Sequence, residues 1–199
     1  KRKRFTVETK GGLVSIDLQV DRHGDAAAAT VEMGIATFKP DALPCSLGVP
    51  ELIQQPIEAG GRSLIFTGVS VGNPHCVVFK PTGESWSREE LLALGPALEH
   101  HKLFPKRTNV QLVVPTGRNE VFILIWERGA GETQASGSSS CAAASAAVRL
   151  GLVKSPVTVK MPGGVLNIDV APDFSLTMKG PVAEVARGTL SPSFIRGLK

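Results

Sequence analysis

Three polar stretches carry residue types whose spacing could support chemistry. The longest runs Glu127-Arg128-Gly129-Ala130-Gly131-Glu132-Thr133-Gln134-Ala135-Ser136-Gly137-Ser138-Ser139-Ser140-Cys141. An adjacent acid and base lead into a glycine-rich loop, and the loop feeds small residues suited to a helix start. The N–H groups of a first helical turn lack internal partners and carry partial positive charge, so they suit an anion. Gly137 lets backbone approach a ligand closely. A plain Gly/Ser turn capping a buried helix has the same spacing, and spacing alone leaves both readings open. The second stretch is Asn73-Pro74-His75-Cys76. Asn-Pro forces a turn just before a strand, which sets Asn73 and His75 at its mouth. His23 falls in a turn and His100-His101 ends a helical stretch; taken alone, His75 also reads as a satisfied structural histidine. The third stretch, Arg107-Thr108-Asn109, opens another strand, and Asn109 alone carries little information.

Several named chemistries do not fit. Gly129 and Gly131 begin a dinucleotide fingerprint, but Gln134 stands at the third glycine position, and no phosphate-loop lysine follows. No nucleophile elbow surrounds Ser136 or Ser138. Cys45, Cys76 and Cys141 are odd in number and include no CxxC pair, so neither a disulfide scaffold nor a metal site is expected; a reducing cytoplasm fits best.

The elements that must position these groups are mostly strands. Period-two alternation runs through residues 13–20, after a Gly11-Gly12 turn, and through 29–35. Further strands are expected at 63–69, 76–80, 109–114, 120–126, 157–161, 165–170 and 175–179, most rich in β-branched residues and bounded by Gly, Pro or Asn. Pro162-Gly163-Gly164 reads as a hairpin loop. Two stretches predict helices. Ser87-Arg88-Glu89-Glu90 is a capping box before Leu91, Leu92, Leu94 and Leu98. The other, 139–150, is almost all Ala, Ser and Cys and stops at Gly151. A helix with no bulky apolar stripe is expected to be wrapped on most sides by close-packed backbone. Curled sheets around a central helix follow, with the proline-containing 40–56 stretch as the expected inter-domain crossing.

Composition agrees with a globular chain: 199 residues, 42% hydrophobic and 20% charged. The formal charge of +4 is local. Lys1, Arg2, Lys3 and Arg4 take four of the 22 basic residues and leave 18 against 18 acidic ones. The tetrad reads as a solvated strand start, and no nucleic-acid partner is expected. No apolar run approaches the ~18 residues of a membrane span, so no membrane partner is expected either. No secretory signal is visible, and the chain opens without Met directly into strand-like sequence, as an internal start would.

Together GNPHCV, RTNV and ERGAGET before a small-residue helix resemble the diaminopimelate epimerase superfamily in order and spacing, over essentially the whole chain. The resemblance implies a cofactor-free amino-acid epimerase or racemase. It also implies an α+β fold of two pseudo-symmetric domains, each a curled, mainly antiparallel sheet around a central helix. The first domain is expected to be incomplete here: residues 1–52 its latter part, 53–182 a complete second domain, 183–199 a return to the first. By resemblance Asn73, Asn109, Glu127 and Arg128 contact the substrate, Gly137 and Ser138 offer N–H groups to its carboxylate, and His75 and Glu127 stand with the catalytic groups. A homodimer is expected.

The chemistry needs two bases on opposite faces of the α-carbon, which in this family are cysteines at helix N-termini. Ser136 stands where the second cysteine is expected. Cys141, five residues on, lies ~140° around the helix and reads as structural. Cys76 should face away from His75. The segment carrying the first cysteine is expected upstream of this chain. The reading is stereoinversion, with LL- to meso-diaminopimelate as the first substrate. The alternatives are a relative acting on another amino acid or small acid, and a ligand-binding homologue that lost its bases. This chain alone is expected to be inactive.

Overall fold

The computed structural model describes residues 3–9 and 12–198; Lys1 and Arg2 of the basic tetrad and Gly11 of the first turn lie outside them. Alternating residues form an antiparallel meander of β1 (Arg4–Thr9), β2 (Gly12–Val20) and β3 (Ala26–Ile35). Arg4 is solvated, 3.6 Å from Asp17 and 3.7 Å from Glu32. A second meander follows in β4 (Gln55–Ala59), β5 (Arg62–Ser70) and β6 (Pro74–Phe79). Helix α1 (Arg88–Glu99) then carries the chain to β7 (Asn109–Gly117), parallel to β6. β8 (Glu120–Glu127) returns antiparallel and adds the short β9 (Gly131–Thr133). Helix α2 (Gly137–Arg149) crosses to β10 (Val157–Met161), parallel to β8. Both parallel pairs are bridged by a helix, as parallel pairing requires. β11 (Gly164–Val170) and β12 (Ser175–Pro181) complete the order, and α3 (Pro192–Arg196) lies exposed near the end.

Among the described residues the strands form one sheet in the order β1-β2-β3-β12-β11-β10-β8-β7-β6-β5-β4, with β9 on β8. The pairing of β12 with β3 joins both meanders into a single surface, where separate sheets were expected, and the two edges do not meet. No described helix is long and apolar enough to cross a membrane.

Side-chain alternation gives the sheet two cores. Cys76, Val78, Val110, Leu112 and Val114 face α1 with Leu91, Leu94 and Leu98. Val77, Val113, Ile123 and Ile125 face α2 with its buried alanines and Cys141. The sheet curls around α2 from β5 to β12, and residues 139–147 of that helix are all buried, which explains their small size. Larger side chains there would overpack a closed space, at about 1–3 kcal/mol each. Upstream, Ala36 and Phe38 join the α2 core, while Leu43 and Leu52 join the α1 core.

The helix ends follow the local sequence. Ser87 and Glu90 form the reciprocal capping box on α1. Ser136 caps α2 by accepting the Ser139 N–H, and Gly151 ends it in the left-handed region at φ 70.

Candidate active site

Parallel pairing brings the starts of β6 and β7 to one end of the sheet, and antiparallel β8 finishes there. Asn73, His75, Asn109, Glu127 and Arg128 therefore converge, with His75 and Asn109 directly paired. Asn109 is 6% exposed and fastens the three strands together. Its Nδ2 donates to Pro74 O at 2.8 Å, and its Oδ1 accepts the Arg128 N–H at 2.9 Å. One Nδ2 proton and one Oδ1 lone pair are left for other partners.

His75 is fully buried, with Nε2 3.0 Å from Asn73 Oδ1. Burial pushes its pKa down to about 3; the Gln111 side chain opposes this and the Arg128 charge reinforces it. The ring is thus neutral at neutral pH. His75 Nδ1 and Gln111 Oε1 are buried without a well-formed hydrogen bond, so this corner is tightly desolvated. Arg128 is exposed and donates from Nη1 to Lys106 O at 3.2 Å. Glu127 is half-buried, and its carboxylate forms no ion pair among the described residues.

The N-terminus of α2 reaches this end from the inner face of the sheet. Gln111 Nε2 donates to Ser139 Oγ at 3.0 Å, and Ser139 N donates to Ser136 Oγ at 3.4 Å. Gly137 and Ser138 occupy the first helical positions, where N–H groups have no intrahelical acceptor. Met178 packs on Gly137, where a Cβ would lie 3.0 Å from its sulfur. The tip of the β10–β11 hairpin holds the preceding loop: Gly163 N donates to Gln134 O at 2.7 Å, and a Cβ there would come within 2.8 Å of that oxygen. Beside it, a cleft of about 230 Å3 is lined by Ser136, Gly137, Met161, Gly163 and Leu166. The strand-end residues do not line that cleft; they reach Ser136 through Gln111 and Ser139.

The cysteines sit where helix and strand geometry put them. Cys76 faces the α1 core, away from His75, and burial raises its pKa. Cys141 is buried and pushed up to about 12 by that burial. Neither has the exposure or the low pKa of a working base.

Two residues at this site carry no strong sequence signal. Gln111 sits at an inward position of an apolar strand, and only its polar type within that run marked it out. Glu99, the last residue of α1, is 3% exposed. Its Oε2 accepts Trp126 Nε1 at 2.7 Å and its Oε1 accepts Gly129 N at 2.8 Å, so it grips both flanks of Glu127-Arg128.

A neutral imidazole, a free carboxylate, an exposed guanidinium and unpartnered helix N–H groups at one sheet end suit a zwitterionic ligand with several carboxylate or ammonium groups. The family model of diaminopimelate epimerase matches residues 67–185, which include every one of these groups. The chain belongs to the diaminopimelate epimerase family. It is 36% identical over 189 residues to the diaminopimelate epimerase of Leptospira biflexa, covering 94% of this chain and 66% of that protein. It is 43% identical over 163 residues to that of a Synechococcus strain, covering 80% of this chain and 57% of that protein. The chain therefore spans less than two thirds of the length of these diaminopimelate epimerases. Its fold is shared with a hydroxyproline epimerase from Agrobacterium vitis at a TM-score of 0.63 and 15% identity, over 91% of this chain and 57% of that one.

Proposed function

We propose that the whole protein inverts an amino acid at its α-carbon without a cofactor, and that its substrate is LL-diaminopimelate, converted to the meso form. The observation that carries this reading is the convergence of Asn73, His75, Asn109, Glu127 and Arg128 opposite the N-terminus of α2. In the proposed arrangement Glu127 meets the distal ammonium and Arg128 the distal carboxylate. Gly137 and Ser138 N–H groups take the carboxylate beside the reacting carbon, where negative charge grows as the α-proton leaves. His75, neutral and buried, orients Asn73. Ser136 stands at the base position on one face, and a segment of the whole protein upstream of these residues supplies the base on the other.

The domain division forms part of the proposal, with 53–182 as the second domain and 1–52 and 183–199 belonging with the first; the buried Ala36, Phe38, Leu43 and Leu52 carry the second domain's core upstream of that boundary. A homodimer in the cytoplasm, where its free cysteines stay reduced, completes it.

The test is solvent deuterium incorporation at the α-carbon of diaminopimelate, followed by NMR, with the whole protein and with this chain alone. Exchange by the whole protein only is expected. Exchange by this chain alone would contradict the two-sided site. Ser136 favours one second reading, a ligand-binding homologue, which predicts tight binding of diaminopimelate with no exchange. Exchange confined to another amino acid or small acid would move the assignment to a related isomerase.

A further inference from the structure

We propose that Glu99 is a positioning residue: its carboxylate clamps together the two turns that present Asn109 and the Glu127-Arg128 pair. The inference rests on the reading above that these residues hold the ligand.

The helix end itself disfavours a carboxylate at this place. Glu99 closes α1, where the helix dipole is negative, and its side chain is only 4% exposed. Burial raises its pKa, yet the Trp126 indole, the Gly129 N–H and the charges of His100 and Arg107 outweigh that and hold it below the usual carboxylate range. A charge kept ionised in such a place is held by its partners, and those partners identify its role. Trp126 and Gly129 lie immediately before and after Glu127-Arg128. Arg107, whose Nη1 is 3.7 Å from Glu99 Oε1, lies two residues before Asn109.

The contacts close a ring. Glu99 holds Gly129; Arg128 donates its N–H to Asn109 and its Nη1 to Lys106 O; Arg107 returns to Glu99. Gly129 at φ 77 and Arg107 at φ 59 are both left-handed, so each turn is bent sharply where the clamp grips it. The ring also separates two acids. Glu99 satisfies the donors from within the protein, and the neighbouring Glu127 carboxylate stays free for a ligand ammonium.

Hydrogen exchange on this chain, read residue by residue by NMR, provides the test. In Glu99→Gln one acceptor oxygen becomes an amide that cannot accept from its donor. The side chain can then keep only one of its two bonds, so either the Gly129 amide should exchange at least about tenfold faster or the Trp126 indole resonance should be displaced, with α2 amides unchanged. Glu99→Asp, which keeps the charge but shortens the reach, should lie between the two; it serves as the test if the glutamine variant does not fold. An unchanged Gly129 amide together with an unmoved Trp126 indole resonance in either folded variant overturns the clamp. In the whole protein, KM for diaminopimelate should rise at least about tenfold while kcat changes by less than about threefold, the pattern of lost uniform binding. Equal falls in kcat and kcat/KM would overturn a positioning role. If the whole wild-type protein neither binds nor exchanges diaminopimelate but the amide or indole effect is present, the clamp stands and the proposed function fails.

Discussion

Gln111 donates to Ser139 Oγ at 3.0 Å between two fully buried side chains, tying β7 to the first turn of α2. Because Ser139 N also caps onto Ser136 Oγ, the position expected to hold a base is braced by the strand that carries Asn109. The first turn of α2 and the strand that carries Asn109 are thus joined by direct hydrogen bonds.

Ser139→Ala tests that brace. The alanine leaves Gln111 Nε2 buried without an acceptor, which costs about 1–3 kcal/mol. The better helix propensity of alanine returns at most about 0.5 kcal/mol. A net loss should appear as a lower urea midpoint at unchanged m-value. An unshifted midpoint would mean that Gln111 finds another partner and that the bond braces nothing.

Glu90 sets an acid limit on the other side of the sheet. Burial raises its pKa, but Arg62, Lys80 and the Ser87 N–H together bring it down to about 2. The folded pKa is depressed, so the stabilisation is complete above the ordinary carboxylate range and is lost as pH falls toward 2. Thermal unfolding should show a decline over that window, and Glu90→Gln should flatten it while lowering stability at neutral pH. A wild-type acid limb that survives unaltered in Glu90→Gln would assign the decline to other carboxylates.

Much of the fold is legible in the sequence itself. The Ser87/Glu90 box is a local pattern whose geometry is complete within one turn, and the strands announce themselves by alternation at 157–161 and by β-branched residues at 109–114. α2 starts at Gly137, two residues before the expected 139, because the Ser136 side chain caps it. β4 and β9 escaped: one carries Pro56 and the other has three residues, so neither shows a period. Glu99 was illegible for a different reason. A glutamate ending a helix reads as solvated, and the hydrogen bonds that make its burial tolerable come from Trp126 and Gly129, 27 and 30 residues away.

Arg128 should matter to binding and little to folding. Its side chain is exposed, and its bond to Asn109 runs through the backbone N–H, which alanine retains; the one structural bond lost is the exposed one from Nη1 to Lys106 O. In the whole protein Arg128→Ala should therefore weaken diaminopimelate binding by about 1.5–3 kcal/mol, the loss of one charge-assisted bond, not the larger loss from a buried pair. Calorimetry and a melting curve on the same variant separate the two effects. Unchanged affinity would remove Arg128 from the site, and a large fall in Tm would make its role structural.

Ser136→Cys asks whether the scaffold still supports proton transfer. A serine alcohol is a far weaker acid than a thiol of pKa ~8.5, and a helix N-terminus lowers a thiol further. His75 cannot substitute as a proton donor, since burial holds its pKa at about 3 and leaves the ring neutral. The structural cost is small: the cap bond replaced is already long at 3.4 Å, so the loss belongs at the low end of the ~0.5–2 kcal/mol range for N-caps. In the whole protein the cysteine variant should raise α-deuterium exchange by about 10²-fold or more, the usual contribution of a positioned base. The rate should climb with pH to a plateau below the free thiol's pKa, because the reacting form is the thiolate. Substantial exchange by the serine form, unchanged in the variant, would place the base elsewhere on this face. No exchange in either form, with diaminopimelate still bound, would make the protein a binder that kept its recognition groups after losing its chemistry.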